Sequence, residues 1–169
     1  MRYIDFDGVI LDTEDLLFHE WRKNPEHHFL PDEDKVVYIR NCNWRDIINN
    51  SPVINDSIYI LKNMDKDASS ILTKIHSLEE GYEKIIYLGN NDVKQNVILV
   101  PYPASKIQVV RPNKNDILID DSIKNLTEWQ AMGGYPMFFD LNNNNVDSWG
   151  IYNKNSYQRV RRIDEDIKK

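Results

Sequence analysis

The chain has 169 residues, of which 41% are hydrophobic and 28% charged, and its formal net charge is −6. These values are typical of a soluble globular protein with one domain. The negative net charge argues against a protein that binds nucleic acid through general electrostatic attraction to its phosphates. A single cysteine, Cys42, excludes an internal disulfide, and no apolar run approaches the ~20 residues of a membrane helix, so we expect a cytoplasmic protein.

Two aspartates follow the first predicted strand, where Tyr3-Ile4 leads directly into Asp5 and Asp7. Residues two apart in an extended strand point to the same side, so both carboxylates can face one small volume at the strand end. Gly8 allows a sharp turn there. Buried like charges favour protonation of one member unless a cation lies between them. For this motif taken alone, a strand end with solvated acids is the alternative interpretation.

Residues 13–67 are predicted to be helical, polar and aromatic, without a convincing strand. Thr13 is placed to cap the first of these helices. We interpret the block as a small helical cap that lies over the site and is inserted after the first strand; the alternative is that it belongs to the main helical layer. Phe18, Trp21 and Trp44 could form a platform on which a nucleobase stacks, with packing inside the cap as the alternative.

From residue 68 onward, predicted strands and helices alternate. The predicted strands cover residues 69–73, 96–100, 116–120 and 135–141. Ser77 and Glu80 form a capping box, which opens a helix whose apolar residues are Leu78, Tyr82, Ile85 and Leu88. The alternation predicts a doubly wound parallel α/β sheet, built from residues 1–12 and 68–169.

A second acidic pair ends another predicted strand, because Asp120-Asp121 follows the aliphatic run Ile117-Leu118-Ile119. The carboxyl ends of parallel strands meet at one edge of a sheet, which is where such sheets place their sites. Four converging carboxylates would repel one another, and a hard divalent cation such as Mg²⁺ is the natural compensation. The two acidic pairs together therefore predict a magnesium site.

These elements resemble the four motifs of the haloacid dehalogenase (HAD) superfamily. The matching residues are Asp5-Phe6-Asp7-Gly8-Val9, the strand-terminal Thr73, a downstream lysine and Ile119-Asp120-Asp121. The segment after Asp120 is similar to the cytosolic 5′(3′)-deoxyribonucleotidase branch of that superfamily. The residues that carry this finer resemblance are Ile119-Asp120-Asp121-Ser122, Asn125-Leu126, Trp129 and Gly133-Gly134.

The resemblance implies a different role for each of the acidic residues. Asp5 would be the nucleophile and form an aspartyl-phosphate, and Asp7 would be the general acid and base. Mg²⁺ would be held by Asp5, the backbone carbonyl of Asp7 and Asp120, with Asp121 contributing through water.

The resemblance also implies a phosphate site. The Thr73 hydroxyl would hydrogen-bond a phosphate oxygen, Gly8 would lie beside the phosphate, and a lysine would supply a compensating charge. Lys106 is favoured for that role because it follows Ser105 in a place that resembles the third motif. Lys114 is the alternative, since it lies closer to Asp120 along the chain.

The predicted function is therefore a Mg²⁺-dependent phosphomonoesterase, with a 5′-nucleotidase acting on deoxyribonucleoside monophosphates as the favoured specificity. A phosphatase for another small phosphomonoester, such as a phosphosugar, is one alternative. A phosphatase for nucleic-acid ends is another, against which the net charge of −6 weighs. A non-catalytic ligand-binding or regulatory module is the alternative from a different class. The expected partner is a small molecule, with neither a membrane nor bulk nucleic acid involved.

Overall fold

The computed structural model of the chain describes residues 1–147 and 150–167. Within these ranges there are six strands, β1 (Arg2–Ile4), β2 (Ser69–Ile75), β3 (Asn96–Pro101), β4 (Ile117–Asp120), β5 (Tyr135–Phe139) and β6 (Gln158–Val160). They form one sheet in the order β3-β2-β1-β4-β5-β6, and every neighbouring pair is parallel. The predicted doubly wound parallel sheet is confirmed.

Strand β1 occupies the centre of the sheet and fixes the register of its neighbours. Ile4 lies opposite Ile71 of β2 on one side and opposite Ile119 of β4 on the other. The chain runs outward from β1 through β2 to β3, and then returns to the other side of β1 to place β4. The gap between the carboxyl ends of β1 and β4 is therefore the point where the strand order reverses, the usual ligand position in such sheets.

Helices cover both faces of this sheet. They are α1 (Glu14–Arg22), α2 (Asp32–Arg40), α3 (Trp44–Asn50), α4 (Ser57–Asn63), α5 (Leu78–Asn90), α6 (Lys106–Val109) and α7 (Ile123–Ala131), with a 3-10 helix over Pro25–Phe29. Successive residues of β2 point to opposite faces: Ile71 packs in one cluster with Leu88 of α5, and Leu72 packs in another with Leu126 of α7. Across residues 1–147 and 150–167, no helix combines the length and apolar character needed to cross a membrane.

The block predicted as a cap is helical, as expected, and it packs closely on the sheet. Trp44 of α3 and Leu61 of α4 are each 1% exposed and belong to the same hydrophobic cluster as Ile4 and Ile71. Helices α3 and α4 thus bury their apolar residues against one face of the sheet. The division into a core and a cap over 13–67 stays a prediction.

Helix α5 turns a different face to the core than the sequence pattern suggests. Of the four apolar residues that the sequence places on this helix, Leu78, Tyr82 and Ile85 are 88%, 59% and 44% exposed, and Leu88 is buried. Glu80 and Lys84 are buried instead. These two charged side chains find ionic partners at the sheet edge, since Lys84 pairs with both Glu80 and Asp7.

Two short elements complete the structure: α6, which the sequence did not predict, and β6, which lies in the tail where at most a short strand or helix was expected. Helix α6 begins at Lys106 immediately after Ser105, whose backbone N–H donates to Gln108 Oε1 at 2.7 Å. Strand β6 adds an edge to the sheet by pairing with β5, so that β5 is not the last strand. The first of these elements matters for the site because it positions Lys106.

Candidate active site

The turn after β1 places the first acidic pair at the sheet edge. The Asp5 backbone N–H still donates to Ile119 O of β4 at 3.0 Å, so Asp5 remains in register beside the second acidic strand. Phe6 O then accepts hydrogen bonds from Ile10 N at 2.9 Å and from Leu11 N at 3.1 Å, closing a tight turn. Gly8 has a φ of +71° within this turn, a conformation that glycine adopts without steric cost.

Three carboxylates meet where β1 and β4 end. Oxygen atoms of Asp5, Asp120 and Asp121 all lie within 4.8 Å of one another. Asp5 and Asp120 are buried, and Asp121 is partly exposed. The structure therefore brings together the side chains of the two predicted acidic strands, while Asp7 contributes no carboxylate to this cluster.

Lys106 supplies a buried positive charge to the cluster. Its Nζ lies 2.9 Å from Asp5 Oδ2 and 2.6 Å from Asp120 Oδ2, and its side chain is 1% exposed. Burial lowers the pKa of Lys106, but the charges of Asp120 and Asp5 outweigh burial and raise it overall. Lys114 is exposed in the segment that precedes β4, at the opposite end of that strand from Asp120.

Asp120 is fixed in place by further donors. Its Oδ1 accepts hydrogen bonds from Ser122 N at 2.8 Å and from Asn125 Nδ2 at 3.1 Å. Asn125 lies in the first turn of α7, whose N-cap is Ser122. The start of this helix therefore orients the carboxylate that Lys106 neutralises.

The electrostatic balance around Asp5 is unfavourable to its charged form. Burial is the main cause that raises the pKa of Asp5 to about 6; Lys106 opposes the rise, while the charges of Asp120 and Asp7 add to it. A carboxylate with this environment is stabilised in its ionised form by an additional cation.

A second buried lysine, which the sequence interpretation missed, holds the other aspartate. Lys84 Nζ donates to Asp7 Oδ2 at 2.5 Å, to Glu80 Oε1 at 2.7 Å and to Lys74 O at 2.9 Å, and it lies 3.2 Å from Thr73 Oγ1. Burial lowers the pKa of Lys84, but the charges of Asp7 and Glu80 prevail and hold that pKa above its ordinary value. The i,i+4 spacing of Glu80 and Lys84 on one helix face was the available signal, and it ordinarily indicates a solvated ion pair.

Thr73 and Thr13 also contact this network. The Thr73 side chain is buried at the end of β2, and its hydroxyl accepts from Lys84. Thr13 was predicted to cap α1, yet its side chain makes no capping hydrogen bond. Its hydroxyl instead donates to Asp7 Oδ1 at 2.9 Å. Both oxygens of the Asp7 carboxylate are therefore held by donors from other elements.

Lys74 is a further cation near the site. Its side chain is half-buried, and burial followed by the charge of Lys106 lowers the pKa of its ammonium, while Asp120 and Asp5 partly offset that effect. The sequence places this lysine directly after Thr73 at the end of β2. The carboxyl edge of the sheet therefore carries several positive side chains beside its acidic cluster.

The similarity of this chain to known proteins lies in its fold and not in its sequence. No protein-family model matches the sequence, and no curated protein sequence matches it. Among solved structures, a HAD phosphatase from Thermococcus onnurineus aligns with a TM-score of 0.58 at 11% identity, over 96% of this chain and 93% of that one. A haloacid dehalogenase-like hydrolase from Streptococcus pneumoniae aligns with a TM-score of 0.57 at 14% identity, over 94% and 92%.

A third structure, a HAD-superfamily hydrolase from Geobacter sulfurreducens, has a TM-score of 0.52 at 12% identity and covers 82% of this chain and 88% of its own. This chain has the HAD fold. At such low identities the likeness concerns the fold alone.

The acidic cluster of this HAD-fold protein fits a magnesium ion. Asp5, Asp120 and Asp121 offer the hard oxygen ligands that Mg²⁺ prefers. Three carboxylates meet in this cluster, whereas Lys106 brings one buried ammonium and Lys74 a half-buried one, so a divalent cation would offset excess negative charge. The raised pKa of Asp5 points the same way.

The three aromatic residues proposed as a base platform lie in the core. Phe18, Trp21 and Trp44 are 8%, 9% and 1% exposed and belong to one hydrophobic cluster. The Trp44 ring centre lies 5.4 Å from Lys84 Nζ, so this tryptophan packs under the buried lysine. Hydrophobic packing, which was the alternative to a base-stacking platform, accounts for the position of all three rings.

A polar cleft of about 360 Å³ opens beside Gly8 and Asp121. Its other lining residues are Asp12, Glu14, Asp15, Arg22, Phe139, Asp140, Leu141, Asn142, Asn144, Val146 and Asp147. Most of these side chains are charged or carry an amide, and Arg22 pairs with Glu14 and Asp15. This cleft adjoins the acidic cluster, because Gly8 and Asp121 line it.

Replacement of Gly8 by alanine tests the close approach of the turn to Asp121. An added Cβ would strike the Asp121 carboxylate and would require a φ that alanine disfavours by about 1–2 kcal/mol. We expect Gly8→Ala to weaken Mg²⁺ binding, measured by calorimetry, by roughly tenfold or more. Gly89→Ala is the matched control, because no atom lies within 4 Å of a Cβ there. Equal Mg²⁺ affinity in both variants would contradict the predicted role of this turn.

The raised pKa of Asp5 predicts a pH dependence of stability. Its folded-state pKa of about 6 exceeds the ordinary 3.8, so between these values the folded protein keeps a proton that the unfolded chain has lost. The Asp5 contribution to the free energy of unfolding therefore decreases as the pH rises through about 6.

Asp5→Asn should accordingly be more stable than the native protein in EDTA at about pH 8, and this advantage should shrink towards pH 5. Thermal unfolding of both proteins across this range measures the difference. Added Mg²⁺ should stabilise the native protein at about pH 8 and leave Asp5→Asn less affected. A difference that does not vary with pH would show that burial of Asp5 is not the cause.

Proposed function

We propose that this protein is a Mg²⁺-dependent phosphomonoesterase that works through an aspartyl-phosphate on Asp5. The observation that carries the proposal is the position of Asp5, whose carboxylate lies at the carboxyl edge of a HAD-fold sheet within 2.9 Å of Lys106 Nζ and beside Asp120 and Asp121. A nucleophilic carboxylate, a fixed cation and a group of hard oxygen ligands are the parts that such a reaction needs.

In the first step, an Asp5 oxygen attacks phosphorus and the ester P–O bond breaks. Asp7 enters this step in its protonated form and gives that proton to the departing oxygen, so that the product leaves as an alcohol. The ammonium of Lys106 stabilises negative charge on the phosphoryl oxygens. Thr73, at the end of β2, is the proposed hydrogen-bond donor to one of those oxygens.

In the second step, water attacks the phosphorus of the aspartyl-phosphate and the bond to Asp5 breaks. Asp7, now ionised, accepts the proton from the attacking water, and inorganic phosphate leaves. Residues Asp5, Asp120 and Asp121, with the backbone carbonyl of Asp7, would hold Mg²⁺. When bound, the ion would shield the carboxylates from the phosphate and neutralise charge at the transition state.

Two substrate classes follow from different observations. The resemblance of the segment after Asp120 favours deoxyribonucleoside monophosphates. The polar lining of the cleft beside Gly8 and Asp121 favours a small polar phosphomonoester such as a phosphosugar, since the predicted base-stacking rings are packed in the core. The charged residues that line that cleft are six acidic side chains and Arg22, which argues against nucleic-acid ends, since these would require a basic groove.

Phosphate release from a panel of substrates tests the proposed reaction. The panel contains deoxyribonucleoside and ribonucleoside monophosphates, phosphosugars and p-nitrophenyl phosphate, each with Mg²⁺ and with EDTA. We expect Mg²⁺-dependent release that Asp5→Asn abolishes while the fold stays intact, because the amide cannot act as the nucleophile. Undiminished release by Asp5→Asn would exclude the nucleophile assignment, and no release by the native protein would favour a non-catalytic binding module.

Substitution of Lys106 and Lys114 separates the two assignments of the phosphate-site lysine. Lys106→Met removes the ammonium that contacts Asp5 and Asp120, so kcat/KM should fall by on the order of 10²-fold. Lys114→Met is the matched control at an exposed position and should keep native activity and Tm. Native activity in Lys106→Met, or a loss confined to Lys114→Met, would contradict the assignment of Lys106 to the site.

A further inference from the structure

Lys84 joins three elements at the edge of the site. It lies on α5, and its ammonium contacts Asp7 of the turn after β1 and Thr73 at the end of β2. Its side chain is 0% exposed, whereas that of Asp7 is 35% exposed. The amine that reaches Asp7 is thus anchored in the interior, and the carboxylate that it holds faces the open side.

The anchoring of Lys84 leaves its ammonium little freedom. Glu80 Oε1 and Lys74 O take hydrogen bonds on the interior side, at 2.7 Å and 2.9 Å. The rings of Phe6 and Trp44 lie with their centres 5.3 Å and 5.4 Å from Nζ. Because the Lys84 ammonium is held in this way, its hydrogen bond reaches Asp7 Oδ2 from a fixed direction.

We propose that Lys84 is a positioning residue for Asp7 in the proposed phosphomonoesterase reaction, and this inference rests on that proposed function. Lys84 holds Asp7 Oδ2 while Thr13 holds Asp7 Oδ1, so the acid–base carboxylate is oriented before substrate binds. A misplacement of about 1 Å at a catalytic group can cost about 10²-fold in rate.

A purely structural role accounts for the contacts less well. The pair of Lys84 with Glu80 already gives each buried charge an opposite neighbour within one helix. Asp7 is exposed enough for water to satisfy its carboxylate without a lysine. The contact between Lys84 and Asp7 is therefore not needed to satisfy a buried charge on Asp7. Its effect is to orient the Asp7 carboxylate.

The test measures whether Lys84 acts through Asp7. Lys84→Met alone would leave the buried Glu80 without its lysine and would destabilise the fold, so the double variant Glu80→Gln/Lys84→Met removes both charges together. The kcat and KM for p-nitrophenyl phosphate with Mg²⁺ are measured for this double variant, first with Asp7 present and then with Asp7→Asn. Lys62→Met, at an exposed position on α4, is the matched control and should keep native kinetics.

We expect the double variant to lower kcat by about 10- to 100-fold with KM within about twofold, and to have almost no further effect when Asp7 is already Asn. Equal losses in both backgrounds, or a loss confined to KM, would overturn the positioning role while leaving the phosphatase proposal intact. No release by the native protein across the substrate panel would overturn the proposed function and this inference together.

Discussion

The structure depends on the neutralisation of carboxylates that end on its central strands. Two buried lysines supply the positive charge, and they come from opposite helical layers: Lys106 from α6 reaches Asp5 and Asp120, and Lys84 from α5 reaches Asp7. Each ammonium is removed from water, and each is stabilised only because its carboxylate partners lie within hydrogen-bond distance. The two layers, the sheet edge and the candidate site are therefore held in register by the same ionic contacts.

The acidic residues of the site and the fold could be predicted from the sequence because both follow from local patterns. Strand geometry places residues two apart on one side, and parallel strands bring their carboxyl ends to one edge, so local patterns sufficed to bring Asp5 and Asp120 together. The distribution of the lysines depends on three-dimensional packing. Lys106 and Lys114 could be told apart only once α6 and the direction of β4 were known. Asp7 and Lys84 are 77 positions apart along the chain, and no periodic pattern connects them.

Helix α5 shows why an apolar pattern can mislead near a site. The stripe with Leu78 and Tyr82 is the one that hydrophobic periodicity assigns to the core, yet the helix buries Glu80 and Lys84. Ion pairing at the sheet edge outweighs the burial of that stripe. Trp44 illustrates the converse, because an aromatic ring expected to contact a ligand instead packs beneath Lys84 and within the core.

The central position of β1 has a consequence for the order in which the chain can fold. Arg2 pairs with Ser69 on one side and with Ile117 on the other, so both partners are distant along the chain. Such non-local pairing slows folding because long loops must close first. During synthesis, the first strand has no partner on its second side until β4 has left the ribosome. The acidic cluster, which needs both strands, is therefore assembled late, after most of the chain has been made.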